Sequence, residues 1–395
     1  MKEPETSAAP QVRVIGLDMH PDVFSAAALS GRDAARAKVE QCWDRRRSCE
    51  LERWARTLRA GDLVVLEASG NTFATTERLR AVGVPTVVME SQRAGQIRKT
   101  YCANDRSDAV KLAQIYLSGL AHFVWEPDAR TRERREVLHA YGKAVTTSTR
   151  TRNRLKSYLS DHAVRLGKGI RLTRASGEAT VLASRQWSAL QQLLIKEMLA
   201  DLRGAQERRK RMEALMARDV AADPKLLQLV RLLGVRHIIA FAIGAVIGDI
   251  TRFANPKKLV AYLGLAPTVD RSGNGGRGRE GLVSFGRGDL RHLLIQSAQN
   301  ALTQRSSPLH AWGWKLVVRK SSKNVAVAAV ARKLTVSIWY LMRGLFPALT
   351  GIDESLQAKL GKLATAIGVP TIRSLGYASK ASFIQEKARW LLEPT

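Results

Sequence analysis

The sequence predicts an α/β domain, then a helical coiled-coil arm, then a mostly α-helical carboxyl-terminal domain. Short apolar runs alternate with helical spacing between residues 12 and 120, which suits a layered fold on a mostly parallel sheet. Two apolar stripes with three–four spacing fill the middle of the chain. After residue 226 apolar helices continue, interrupted by one glycine-rich loop at 271–281. The 395 residues suffice for two or three cores, and a hydrophobic share of 45% argues against global disorder.

Taken in order, residues 1–11 are polar and acidic and read as a disordered tail without signal-peptide character. In the α/β domain, 12–125, "VRVIGLDM" (12–19) is a buried strand and "VFSAAALS" (23–30) can return beside it as a hairpin partner. "DLVVLEASG" (62–70) and "VPTVVME" (84–90) supply two more buried strands. Helical spacing falls at 48–58 and 72–81, with Thr72 or Asn71 capping the second helix and Gly83 after its end. The arm, 126–225, carries one stripe from Leu138 through Leu155 and Leu159 to Leu166, and a second from Trp187 through Leu190, Leu194 and Leu202 to Met212. Those stripes suit a coiled-coil interface between protomers or a helical bundle within one. Residues 226–350 form the third domain and 351–395 a helical tail.

Lys and Arg number 64 against 35 Asp and Glu, a formal net charge of +29, so the expected partner is a polyanion, nucleic acid before an anionic membrane. Apolar runs such as 238–248 fall short of the roughly 20 residues of a membrane span, so no membrane is expected. Cys42, Cys49 and Cys102 make neither a disulfide framework nor a zinc site. The expected location is the cytoplasm.

In so basic a chain the carboxylates stand out. Asp18 ends the first strand and Glu67 another; on a parallel sheet both project at its carboxyl edge, where open α/β folds place their sites. Asp105 and Asp108 share one face of a helix's first turn. The plainer alternative is a turn acid at each strand end and acids complementing a helix dipole. Together the four form a donor set for Mg²⁺ or Mn²⁺, because hard divalent cations need several oxygens delivered from different elements to one point.

The glycine-rich stretch is the second constellation. Ser272 and Gly273 are followed by glycines at 275, 276, 278 and 281, with Arg271, Arg277, Arg279, Arg287 and Arg291 supplying charge. Glycines let backbone amides approach phosphate, and a serine held there can attack a phosphodiester. The plainer alternative is a basic loop with a turn serine, and Ser69, Ser284 and Ser297 are rival hydroxyls. Residues 232–267 follow a helix-hairpin-helix pattern with Gly234 at the turn, where backbone amides meet phosphate. Segment 130–174, with thirteen Lys and Arg, and segment 290–352, with nine and no carboxylate, are basic zones; Trp312, Trp314 and Trp339 lie in the second.

These motifs resemble those of the insertion-sequence one-ten family of transposases. "VIGLDMH", "VVLEASG" and "NDRSDAVKLA" match that family's four acids, and "GLAP…RSG…FGRGDLR" matches its serine domain. The resemblance spans roughly residues 12–346 and departs from the family pattern at "MHPD" and at Ala103–Asn104, neither of which touches an acid. It implies a RuvC-like (RNase H-like) DEDD domain at the amino-terminal end and a transposase domain after the arm. It further implies that Ser272 is the nucleophile and that a non-coding bridge RNA selects the DNA by base pairing, with segment 130–174 touching it. Acids and serine would come from different protomers of a dimer or tetramer acting on the nucleoid. Two alternatives stay open: a RuvC-like nuclease hydrolysing branched DNA, and a non-catalytic nucleic-acid binder.

Overall fold

The structure is a computed structural model that describes residues 13–31, 33–90, 105–167, 169–268, 281–283, 285–305, 308–345 and 355–392. The expected 1–11 tail lies outside that set. Two compact units are present, residues 1–126 and 127–395.

The first unit is built on a five-stranded sheet in the order β3-β2-β1-β4-β5. Strand β1 is Arg13–Met19, β2 Val23–Ser30, β3 Lys38–Arg47, β4 Leu63–Glu67 and β5 Thr86–Met89. The sheet is mixed, not mostly parallel. β1 runs antiparallel to β2 and parallel to β4, and β4 runs parallel to β5. Helix α1 (Leu51–Ala55) and α2 (Thr72–Ala81) cover one face, where Ile15, Leu17, Val64 and Leu66 pack with Trp54 and Leu79. Helix α3 (Asp105–Leu117) covers the other, where Val14, Val65 and Met89 pack with Ala109, Leu112 and Ala113. Asn71 occupies the cap position of α2 without a side-chain capping bond, its Oδ1 accepting from Ser69 Oγ instead, whereas Gly83 takes the left-handed φ of +83° expected after its end. At the amino edge, Arg13 grips Asp62 through two bonds of 3.0 Å, both side chains buried. This paired geometry satisfies charges that burial would otherwise penalise.

The second unit is helical. Helix α4 (Ala129–Asp161) and α6 (Ala189–Ala222) form a hairpin within one chain, with α5 (Ala175–Ala183) between them. Its outer end has its own core of Leu155, Leu159, Trp187, Ile195, Leu199 and Leu202, while Leu190 (80% exposed) and Leu194 fall outside the buried stripe. Its base merges with the main core through Met216, Val220, Leu138 and Tyr141. That core is completed by α7 (Pro224–Gln228), α8 (His237–Ile247), α9 (Pro256–Tyr262), α10 (Gly288–Ala301), α11 (Pro308–Lys320), α12 (Lys323–Met342), α13 (Leu356–Ile367), α14 (Val369–Ser374) and α15 (Lys380–Leu392). Between α9 and α10, β6 (Pro267–Thr268) pairs antiparallel with β7 (Gly281–Leu282).

By length and composition α12 reaches what a membrane span needs, contrary to the expectation that every apolar run falls short. Its alanines, valines, leucines and Ile338 carry the mean past Lys323, Arg332 and Lys333. Its Val330, Ala331, Leu334 and Ile338 are buried in the protein core.

Candidate functional site

Two of the expected acids, Asp18 and Glu67, lie at one edge of the first sheet. β1 and β4 are registered through Leu17 and Leu66, so Asp18 and Glu67 are the next residues along adjacent parallel strands. Side chains alternate along a strand, and Leu17 and Leu66 face α1 and α2; Asp18 and Glu67 therefore share the face that α3 covers. Gly16 shows how closely that helix crosses. A Cβ at Gly16 would run into the carbonyl oxygen of Ala109 and come within 2.9 Å of the Ala113 nitrogen. Asp108 directly precedes Ala109, one residue from this crossing over Gly16.

Local contacts hold these groups. Asp18 Oδ2 lies 3.5 Å from His20 Nε2, a neighbour that sequence spacing did not single out. Thr72 Oγ1 donates to the Glu67 carbonyl at 3.0 Å and accepts from Ser69 N–H, fixing the turn after β4. Asp108 Oδ1 is 3.5 Å from Lys111 Nζ. Asp105 starts α3, and its side chain lies outside the described residues. Among the described residues, no group of three or more His, Cys, Asp or Glu closes tightly enough to hold a metal ion by itself. The donor chemistry nonetheless fits a hard divalent cation, since every candidate ligand is a carboxylate.

In the second unit, Ser272, Arg271, Arg277 and Arg279 lie outside the described residues, but both ends of their loop are described. β6 and β7 pair Pro267 with Leu282 and Thr268 with Gly281. Below that pair two glycines interlock. A Cβ on Gly264 (φ +69°) would strike the Phe285 carbonyl, and one on Gly286 (φ +104°) would come within 2.7 Å of the Gly264 nitrogen. Arg291, expected to meet phosphate, donates through one guanidinium nitrogen to the carbonyls of Val283 (2.8 Å), Gly264 (3.3 Å) and Phe285 (3.5 Å). It is the clamp of the loop. Arg287 is likewise engaged, with 2.7 and 3.2 Å bonds to Asp289.

Nearby, burial would raise the Tyr262 phenol, yet the Arg252 and Arg287 guanidiniums outweigh it and hold it below its usual range. Of the rival hydroxyls, Ser297 is fully buried and donates to the Gly234 carbonyl at 3.1 Å, which removes it as a nucleophile. Ser69 is exposed, two residues after Glu67, and Ser284 lies outside the described residues.

Gly234 makes the left-handed turn (φ +72°) expected before α8, but it packs on α10: a Cβ would sit 2.8 Å from the Ser297 carbonyl. Buried Lys359, from α13, donates to the carbonyls of Val230 (2.9 Å) and Leu232 (2.6 Å) just before the turn. His237, at the start of α8, is held down to about 4 by burial and by Arg236. The basic zones divide similarly. Arg134 binds Asp219 and Asp223 at 2.7 Å each, and Arg135 donates to the Ala245 carbonyl at 2.9 Å, while Lys143 and Arg150 are exposed. Trp339 is core, donating to the Phe253 carbonyl at 2.9 Å. Trp314 is 43% exposed.

Comparison with known proteins bears on both constellations. The family described as "Transposase IS116/IS110/IS902 family" matches residues 228–312, which include the Gly234 turn, the clamp and Ser272. The transposase for insertion sequence element IS1111A of Coxiella burnetii is 24% identical over 346 residues, covering 84% of this chain and 90% of that protein. A Pseudomonas aeruginosa protein named "Probable family 20 transposase" is 25% identical over 290 residues, covering 71% and 83%. The matched domain and these long alignments make the chain similar, over most of its length, to transposases of the IS110 kind.

Proposed function

We propose that this protein is a DNA transposase that cuts and rejoins strands through a serine–DNA phosphodiester, with a RuvC-like acid site assisting. The observation that carries the reading is the emergence of Asp18 and Glu67 in register on adjacent parallel strands, beneath the helix whose first turn bears Asp108. The clamp of Gly264, Gly286 and Arg291 supports the second half, since it ties together the described backbone on either side of the segment bearing Ser272.

Asp18, Glu67, Asp105 and Asp108 would hold Mg²⁺ or Mn²⁺, which when bound supplies positive charge to the phosphate and the departing oxygen. Ser272 Oγ attacks phosphorus; its bond to phosphorus forms as the bond to the 3′ oxygen breaks. The serine proton is lost and the departing 3′ oxygen gains one. The 5′ phosphate stays on the serine, so a 3′ hydroxyl from another strand can reverse the step without ATP. Acids and serine come from different protomers of a dimer or tetramer in this reading, and a bridge RNA chooses the DNA ends.

The test is a denaturing gel of protein, Mg²⁺, candidate guide RNA and labelled element-end DNA. A covalent protein–DNA species is expected that disappears in Ser272→Ala and falls at least 100-fold in Asp108→Asn. Free nicked DNA from Ser272→Ala would instead establish a hydrolytic nuclease. Undiminished product from Asp108→Asn would remove the acid site.

A further inference from the structure

An open groove of about 750 Å³ lies in the second unit between α4 and the start of α10. Its long wall is one face of α4 from Arg135 to Arg150, spaced three and four residues apart, so it extends about 22 Å. Lys143 and Arg150 stand exposed along it with His139, and Gly142 leaves room for a backbone to approach. The short wall is Arg287 and Asp289, already paired with each other at 2.7 Å. Among the described residues Asp289 is the sole carboxylate of the lining, and Arg287 already meets its charge.

The position of the short wall gives the groove its direction. Arg287 lies between Gly286, part of the loop clamp, and Gly288, the first residue of α10. Its N–H donates to the Tyr262 carbonyl at 3.1 Å, on the far side of the same clamp. The groove therefore ends at the described backbone, Tyr262 to Gly264 and Gly286 to Gly288, that flanks the Ser272 segment in sequence. A single small anion would need converging ligands, whereas these cations are spread along a line that suits a repeating polyanion. About 22 Å spans roughly six phosphates of one strand.

We propose that this groove carries the sugar–phosphate backbone of the DNA strand presented to Ser272. It rests on the reading of Ser272 as nucleophile, and DNA is favoured over RNA because the groove ends at the loop that must meet the strand being cut. Lys143 and Arg150 each neutralise a phosphate, and Arg135, fixed to the Ala245 carbonyl, floors the groove.

The test measures affinity of the full chain for duplex DNA and for RNA of equal length across a salt series, by fluorescence anisotropy. The Lys143→Ala/Arg150→Ala double variant is expected to bind DNA about tenfold or more weakly and to lose about 1.4–1.8 from the magnitude of its log–log salt slope. A charge-matched control on α6, Lys196→Ala/Arg211→Ala, keeps the wild-type slope. An unchanged DNA slope in the groove variant overturns the proposal, as does a loss confined to RNA. Binding is read without cleavage, so absence of a Ser272-dependent adduct in the wild type counts against the serine reading alone.

Discussion

At the scale of single residues, the site depends on side chains that are missing or occupied as much as on those that react. Gly16 lets α3 lie against the sheet, and its neighbours two positions away are Asp18 and Val14. Gly16→Ala should lower stability by about 1–3 kcal/mol through overpacking, read as a fall in melting temperature, and should reduce cleavage because the first turn of α3 moves off the acids. An unchanged melting temperature would mean that the helix shifts freely. Arg291 separates two roles cleanly. If it clamps carbonyls, Arg291→Lys slows adduct formation with DNA affinity held within about twofold; a phosphate contact would weaken affinity instead.

His237 adds a pH signature. Its folded value of about 4 lies below the unfolded value near 6.5, so between these limits the unfolded chain binds the extra proton. Its contribution is complete above about pH 6.5 and is lost as the pH falls toward 4. A His237→Gln variant should show a flatter fall in stability across that window; identical curves would contradict it.

At the scale of elements, burial separates what the sequence disclosed from what it hid. β1 and β4 are covered on both faces, so they read as plain apolar runs and their terminal acids were visible. β3 was not: as an edge strand reading "KVEQCWDRRR", it buries only Trp43 fully and shows no alternation. Missing it made the sheet seem mostly parallel, because β3 adds a second antiparallel pairing to the hairpin of β1 and β2. The α4–α6 hairpin was legible as spacing, but whether it closed within one chain depended on charges far apart in sequence. Arg134 reaches Asp219 and Asp223 across more than 80 positions. Removing one partner from such a part-buried network leaves uncompensated charge, so Arg134→Ala should cost about 3 kcal/mol in chemical denaturation of the second unit. A change below about 0.5 kcal/mol would make this pair a surface contact.

At the scale of the whole molecule, a chain of net charge +29 pairs several of its carboxylates with arginines, as Asp62 with Arg13 and Asp219 with Arg134. Charge and motif order made a nucleic-acid enzyme legible before any fold was seen. The groove beside the loop was not legible, because it joins α4 to α10 across more than 130 positions. Nor was the engagement of Arg287 and Arg291, since a basic residue in a glycine-rich stretch looks the same whether it meets phosphate or carbonyls. The central claim is that strand and helix acids share one cation. Electron paramagnetic resonance of Mn²⁺ titrated into the full chain tests it most directly. The wild type should hold Mn²⁺ at a site that Glu67→Gln and Asp108→Asn each weaken at least tenfold; equal Mn²⁺ binding in all three proteins would contradict it.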